Sequence, residues 1–310
     1  MKHLNFFQRL RLSTSELEQY YIKVREERFN NGTHFRGIKI RDVLHPLILL
    51  GLYTIHFIKG QKIKIIGDLR EKPTQKPVIY AATHIGWDDI EMIITAITDR
   101  VYLLFGDPGA FYKSFTGCML DLNGLICVDL NSKTDRYISK ESCVKCLELG
   151  QNILIFPEGA WNLTASTPVM NLYSGVSELA LRTGAEVIPV AIEQYDKEFI
   201  INIGKNIDFK DYSLDDKNIV TDIIYEKLSE LKWDIWCSKP TELRSEISDN
   251  YREKWLLEAE QQMQETYTLK DVEEQRFHTK FERETEAIKK DLENITPNIN
   301  NAFLFDKRLI

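Results

Sequence analysis

Residues 78–105 read VIYAATHIGWDDIEMIITAITDRVYLLF, and the fold turns on this stretch. It opens with five apolar residues (78–82), too few for a helix and enough for a strand buried on both faces. A polar turn follows, then a helical pattern over 88–98, then a second apolar run at 101–105 that reads as another strand. Strand, helix and strand in so short a span make a βαβ unit, whose two strands must run parallel.

The same alternation continues outward. A helix is expected at 110–120, a strand at 125–128, a helix at 134–149 ending at Gly150, a strand at 152–156, a helix at 173–183 ending at Gly184, and strands at 187–192 and 199–203. A short strand at 62–66 precedes the stretch. Ser213, with Asp216 as its capping partner, opens a further helix whose Ile219, Ile223, Ile224, Leu228, Leu231 and Ile235 recur at helical spacing. The expected class is α/β, a mostly parallel mixed sheet flanked by helices. It divides into basic and apolar N-terminal helices (1–60), an α/β domain (61–240) and a charged helical extension (241–310), the last rich in Glu, Lys, Arg and Gln. Sparse apolar positions mark that extension: Trp255, Leu256, Met263, Phe277 and Phe281.

The chain has 310 residues, 43% hydrophobic and 28% charged, which supports a folded core and excludes a disordered chain. Its net charge of -7 is unevenly placed, since residues 1–72 carry 14 Lys and Arg against 7 Asp and Glu. A basic end suits an anionic membrane surface, at about 1 kcal/mol per basic side chain near the lipid. No basic run is interleaved with aromatics, so nucleic acid is not an expected partner. Residues 43–58, VLHPLILLGLYTIHFI, are the most apolar stretch; they fall short of the ~20 residues needed to cross a bilayer. With Lys39, Arg41, Lys59, Lys62 and Lys64 around them, they are expected to lie in the membrane interface, a peripheral or monotopic attachment at the cytoplasmic face. A buried core helix is the competing reading. Five cysteines without an evident secretory leader point to free thiols in a reducing compartment. Cys143 and Cys146 lack a second ligand pair at metal-binding spacing, so no metal site is expected.

Three segments carry chemistry. His84 stands alone among six histidines at the end of an expected strand, where parallel sheets bind ligands. Asp89, five residues on, falls in the first turn of the next helix, where the dipole favours a carboxylate. Such a carboxylate can fix one imidazole nitrogen and leave the other as a base. Phe156-Pro157-Glu158-Gly159 follows the strand at 152–156 and presents a carboxylate in a turn. Val187-Ile188-Pro189-Val190 places proline in an apolar strand, which marks a strand start, an edge or a bulge.

In this order and spacing, His84-x-x-x-x-Asp89 with Trp87 inside it, then F-P-E-G, then V-I-P-V, resemble the glycerolipid (lysophosphatidic acid) acyltransferases over roughly residues 43–210. The resemblance implies an O-acyltransferase on which His84 is general base toward the acceptor hydroxyl and Asp89 orients it. Glu158 and Gly159 would belong to the acceptor site and Pro189 to the acyl-binding wall, with Trp87, Phe156 and Pro157 also among the substrate-binding residues. It also implies a lysolipid acceptor and acyl-CoA or acyl-carrier protein as co-substrate, with no resident cofactor. No G-x-S-x-G elbow occurs, so an acyl-serine is not indicated. Two positions depart from the family's pattern. Gly124-Leu-Ile-Cys-Val-Asp129 is followed by Leu130, where the family usually places an arginine for the acceptor phosphate; Lys133 and Arg136 are nearby substitutes. F-P-E-G is followed by Ala160, where Thr or Ser is common. A non-phosphate acceptor, such as a glycolipid, and a catalytically silent membrane scaffold are therefore the alternatives. A metal-dependent hydrolase using His84, Asp88 and Asp89 would need further ligands, and the remaining histidines are scattered.

Overall fold

The strand β2 (Val78–Ala82) is buried at all five positions. It lies inside a seven-stranded sheet, which leaves neither of its faces to water. In this computed structural model the described residues are 4, 8–9, 11–32, 38–71, 76–86, 88–106, 115–130, 132–164, 167–239, 250–263 and 268–277. The other strands are β1 (Lys62–Asp68), β3 (Val101–Gly106), β4 (Leu125–Val128), β5 (Asn152–Ile155), β6 (Glu186–Tyr195) and β7 (Glu198–Ile203). Their spatial order is β1-β7-β6-β2-β5-β3-β4. Strands β2 to β6 run parallel, and β7 returns antiparallel to β6 with β1 parallel to it, so the sheet is mixed as expected. The carboxyl ends of five strands therefore share one edge, the position at which loops can gather a site.

Helices cover both faces. On one, α2 (Ile38–Lys59), α3 (Asp89–Ile97) and α4 (Phe115–Asn123) pack through Ile48, Leu52, Met92, Ile93 and Leu120 onto Tyr80, Leu103, Leu154, Ile188 and Ile192 of the sheet. On the other, α5 (Lys133–Glu148), α6 (Gly175–Thr183) and α7 (Lys217–Cys237) pack through Cys143, Leu147, Leu179, Ile224 and Leu228 onto Ile79, Ala81, Ile153 and Val187. The alternation along β2 decides which side chain meets which layer. Cys143 and Cys146 are both buried in this second layer, and burial pushes the Cys143 thiol up to about 12. No cluster of metal-ligating side chains occurs among the described residues.

The expected ends shift where local chemistry decides them. The first helix, α1 (Thr14–Asn30), carries the capping box of Ser13 and Glu16. Ser213 and Asp216 form the anticipated box, but it caps a 3-10 turn (Leu214–Asp216) that leads into α7. The helix expected at 110–120 is α4, which begins at Phe115 and runs to Asn123; residues 107–114 lie outside the described residues. Pro189 is neither at a strand start nor on an edge, because β6 begins at Glu186 and lies between β7 and β2. It sits in a bulge. Val187 bridges Ile207 and Val190 pairs with Ile203, so three steps on β6 oppose four on its partner. The missing proline N–H falls where that partner swings away, and the Pro189 carbonyl still accepts from Gly204 N.

The apolar segment at 43–58 belongs to the longer α2. Its inner face, His45, Ile48, Leu52 and His56, is buried. His45 fastens it, with Nδ1 2.7 Å from Asn123 Oδ1 and Nε2 2.9 Å from the Thr98 carbonyl. Its outer face exposes Ile40, Val43, Leu47, Leu50, Tyr53, Phe57 and Ile58. No helix among the described residues is long and apolar enough to cross a membrane. The extension supplies α8 (Tyr251–Gln262) and α9 (Leu269–Gln275); Phe281 lies outside the described residues.

Candidate active site

Strand β2 ends at Ala82, and Thr83 latches that end to β6: its N–H donates to the Val190 carbonyl, and its hydroxyl accepts from Ile192 N at 3.0 Å. The chain then leaves the sheet edge as a tight turn that carries His84. Gly86 closes this turn at φ +86°, and a Cβ there would lie 2.4 Å from the Trp161 ring, so only glycine fits.

Asp89 opens α3 directly after the turn and is fully buried. Its Oδ2 accepts three hydrogen bonds, from His84 Nδ1 at 2.8 Å and from the backbone N–H groups of Ile85 at 2.8 Å and Gly86 at 2.9 Å. A carboxylate only accepts, so the proton of that imidazole bond resides on Nδ1 and the lone pair on Nε2. The turn, the helix start and the carboxylate therefore fix both the orientation and the tautomer of His84. Asp88, beside it, is held by Lys59 Nζ at 2.8 Å and by Gln61 Nε2, which ties the end of α2 to this turn. Burial, together with the negative charges of Asp88 and Asp89, pushes the Glu91 carboxyl up to about 7.

The loop after β5 closes on the histidine from the other side. The Phe156 ring lies tilted on the imidazole with centroids 4.3 Å apart, and Trp161 meets it edge-on at 6.3 Å. Glu158 is fully buried beneath them. Its Oε1 accepts from His84 N at 3.0 Å and its Oε2 from Met170 N at 2.7 Å. Burial raises the Glu158 carboxyl, while those two N–H groups and the Lys232 charge oppose the rise. Asn162 N donates to the His84 carbonyl at 2.7 Å. Pro157 is buried and its carbonyl accepts from Tyr173 N, and Gly159 N closes the turn onto the Phe156 carbonyl.

Of the residues singled out in the sequence, His84, Asp89, Phe156, Pro157, Glu158 and Gly159 thus gather at one sheet edge. Pro189 pairs with Ala81 one strand over, and its ring packs against Gly204 in the direction of Leu231 of α7, inside the second helical layer. Trp87 lies outside the described residues. Trp161 and Asn162 were not anticipated; a tryptophan and an asparagine right after F-P-E-G, on a loop at the sheet's carboxyl edge, were the available signal. At the end of β4, Leu130 is 39% exposed and lies near Gly106. Arg136, one of the substitutes considered for an arginine there, donates to the Leu130 carbonyl. Asp135 holds the same loop by accepting from Asp129 N, and Arg25 of α1 grips Asp135 with a forked pair of bonds at 3.0 and 2.7 Å.

A doubly covered α/β sheet with a carboxylate-oriented histidine at its carboxyl edge defines the class. In comparison with known proteins, residues 63–193 match the acyltransferase family model. A 1-acyl-sn-glycerol-3-phosphate acyltransferase of Chlamydomonas reinhardtii is 25% identical over 131 residues, covering 42% of this chain and 38% of that one. One from Borreliella burgdorferi is 27% identical over 147 residues, 47% of this chain and 57% of that one. A lyso-ornithine lipid O-acyltransferase of Pseudomonas aeruginosa is 29% identical over 122 residues, 39% of this chain and 45% of that one. The chain thus spans between about two fifths and three fifths of the length of these relatives. The crystal structure of the 1-acyl-sn-glycerophosphate (LPA) acyltransferase PlsC from Thermotoga maritima is similar at a TM-score of 0.49 and 16% identity, over 70% of this chain and 95% of that one.

Proposed function

We propose that the protein is an O-acyltransferase that moves a fatty acyl group from an acyl thioester, acyl-CoA or acyl-carrier protein, to the hydroxyl of a lysophospholipid or related lipid. The observation that carries this reading is the 2.8 Å bond between His84 Nδ1 and Asp89 Oδ2, which leaves Nε2 as a positioned base. The acceptor oxygen attacks the thioester carbonyl as its proton passes to Nε2. The carbon–sulfur bond then breaks, and the departing thiolate takes that proton. Asp89 balances the imidazolium that forms between the two steps. A base in this position contributes ~100- to 10,000-fold, and holding the two substrates together supplies much of the remainder. No resident cofactor is needed for this chemistry.

The exposed apolar stripe of α2, with Lys39, Arg41 and Lys59 beside it, is the surface by which the protein would rest on the cytoplasmic face of a membrane. Lys59 bonds Asp88, so the same helix would set the height of the turn above the lipid. Leu130 favours an acceptor without a phosphate monoester, since leucine offers nothing like an arginine's forked contact. The similarity to a lyso-ornithine lipid O-acyltransferase is in keeping with that choice.

The test is thioester consumption with long-chain acyl-CoA, and then acyl-carrier protein, across lysophosphatidic acid, lyso-ornithine lipid and a lysoglycolipid. Wild type is expected to turn over at least one acceptor, and His84→Ala to lose at least ~100-fold. Turnover by neither, with either donor, would favour a silent scaffold.

A further inference from the structure

The connection from β5 to α6, residues 156–174, is long for a strand-to-helix link, and such loops need cover from elsewhere to hold one shape. This one carries every contact that the second motif makes with His84. Its inner side touches the imidazole through Phe156 and Trp161 and the His84 backbone through Glu158 and Asn162. Its outer side is covered by the C-terminal extension. Val272 of α9 is buried with Ala160 and Met170, and Trp161, Leu163 and Met263 pack around them. This cluster is separate from the two that build the sheet's layers. At the end of α9, the Tyr173 hydroxyl donates to the Gln275 carbonyl at 2.9 Å, and just beyond it the rings of Tyr173 and Phe277 lie 4.8 Å apart. Gly159, at φ +73°, lets the loop pass beneath Tyr173: a Cβ there would come 2.5 Å from that ring.

We infer that residues 268–277 form a strap that holds the Phe156–Trp161 loop against the catalytic histidine, with Val272 as a positioning residue. This rests on His84 being the base of the proposed reaction. The same Trp161 that Val272 helps to hold is pressed against Gly86 in the His84 turn. Slackening the strap lets that ring retreat and loosens the imidazole. Displacement of a catalytic group by about 1 Å costs on the order of 100-fold in rate. Ala160 belongs to this arrangement: a methyl group at that position lies dry beneath Val272, where a hydroxyl would need a partner.

The experiment compares wild type, Val272→Asp and Val272→Ile in the full chain. Two quantities are read: steady-state kinetics, and the rate at which diethyl pyrocarbonate modifies the peptide bearing His84. Val272→Asp is expected to lower kcat by ~10- to 100-fold with the thioester KM changed by less than ~3-fold, and to speed His84 modification at least ~5-fold. Val272→Ile restores both. Folding is verified by circular dichroism, and if Val272→Asp fails to fold, Phe277→Ala is judged by the same criteria. A folded variant whose His84 modification stays within about twofold of wild type would overturn the strap, whatever its kcat. The modification arm needs no substrate, so it decides the strap even if no acceptor turns over and the acyltransferase reading itself fails.

Discussion

Replacing Asp89 by asparagine separates what the carboxylate does for the fold from what it does for the chemistry. Asp89 Oδ2 accepts from His84 Nδ1 and from two backbone N–H groups, Ile85 and Gly86, in a fully buried setting. Asp89→Ala strands both buried N–H groups at about 1–3 kcal/mol each, so it should lose about 2–6 kcal/mol of stability. Asp89→Asn keeps an acceptor oxygen in the same place. Bonds to a neutral acceptor have roughly half the strength of bonds to a charged one, so its loss should be nearer ~1–2 kcal/mol. Activity should follow a different order. The amide cannot balance an imidazolium, so Asp89→Asn should fall by ~100- to 1,000-fold in kcat even though the turn survives. Because the two side chains act as one unit, His84→Ala combined with Asp89→Asn should be little worse than His84→Ala alone. Urea denaturation gives the first quantity and thioester consumption the second. An Asp89→Asn enzyme within about threefold of wild type would show that the base needs no charged partner and would sink the assignment of Asp89.

Other expectations follow from the same geometry. Arg25→Met leaves the Asp135 carboxylate, only 1% exposed, without its forked partner; breaking a buried pair costs about 3–5 kcal/mol, and the partial exposure of Arg25 puts this one near ~3 kcal/mol, readable by urea denaturation. Glu91 in the folded chain titrates at about 7 against an ordinary 4.5. Between those values the folded state keeps a proton that the unfolded state has released, so the stability this group contributes is complete below about pH 4.5 and is lost as pH rises to about 7. Glu91→Gln should flatten that fall, as seen in thermal midpoints taken from about pH 5 to 8. Leu130→Arg should raise the kcat/KM for a phosphate-bearing lysolipid relative to lyso-ornithine lipid by about tenfold, as expected of one forked contact.

What the sequence made legible was what short-range rules decide. Five apolar residues in β2 required burial on both faces, and the alternation around them required crossover helices and parallel neighbours. The His84 turn was legible because a histidine at a strand end and a carboxylate in the next helical turn are separated by only five residues. The parallel pairing of β7 with β1 was not, because joining Lys62 to Glu198 leaves no local trace; the antiparallel return of β7 onto β6 is a hairpin turned by Asp196 and Lys197, a local signal that the reading of separate strands passed over. The role of α2 was divided for a similar reason. Its apolar content and basic flanks left a core helix and an interfacial one as competing readings; the structure buries Ile48 and Leu52 and exposes Leu47, Leu50 and Phe57. The extension was the least legible part. Val272 is one apolar residue in a charged helix, and only its contact with Ala160 and Met170 distinguishes it from a solvated position.

That contact separates two departures from the acyltransferase pattern that look alike in sequence. Ala160 and Leu130 each replace a polar residue expected near the site, and together they raise a different acceptor and a silent scaffold as alternatives. Their surroundings are opposite. Ala160 is fully buried among Met170, Trp161 and Val272, a setting in which an unpartnered hydroxyl would cost about 1–3 kcal/mol. The loss of polarity there is matched by a neighbour that needs an apolar surface. Leu130 is 39% exposed at the end of β4. Its backbone is nevertheless held from several sides: Arg136 binds its carbonyl, and Asp135, itself gripped by Arg25, binds the N–H of Asp129. Under the proposed function, the held backbone and the changed side chain predict a different headgroup rather than a lost site. The Leu130→Arg comparison asks this directly.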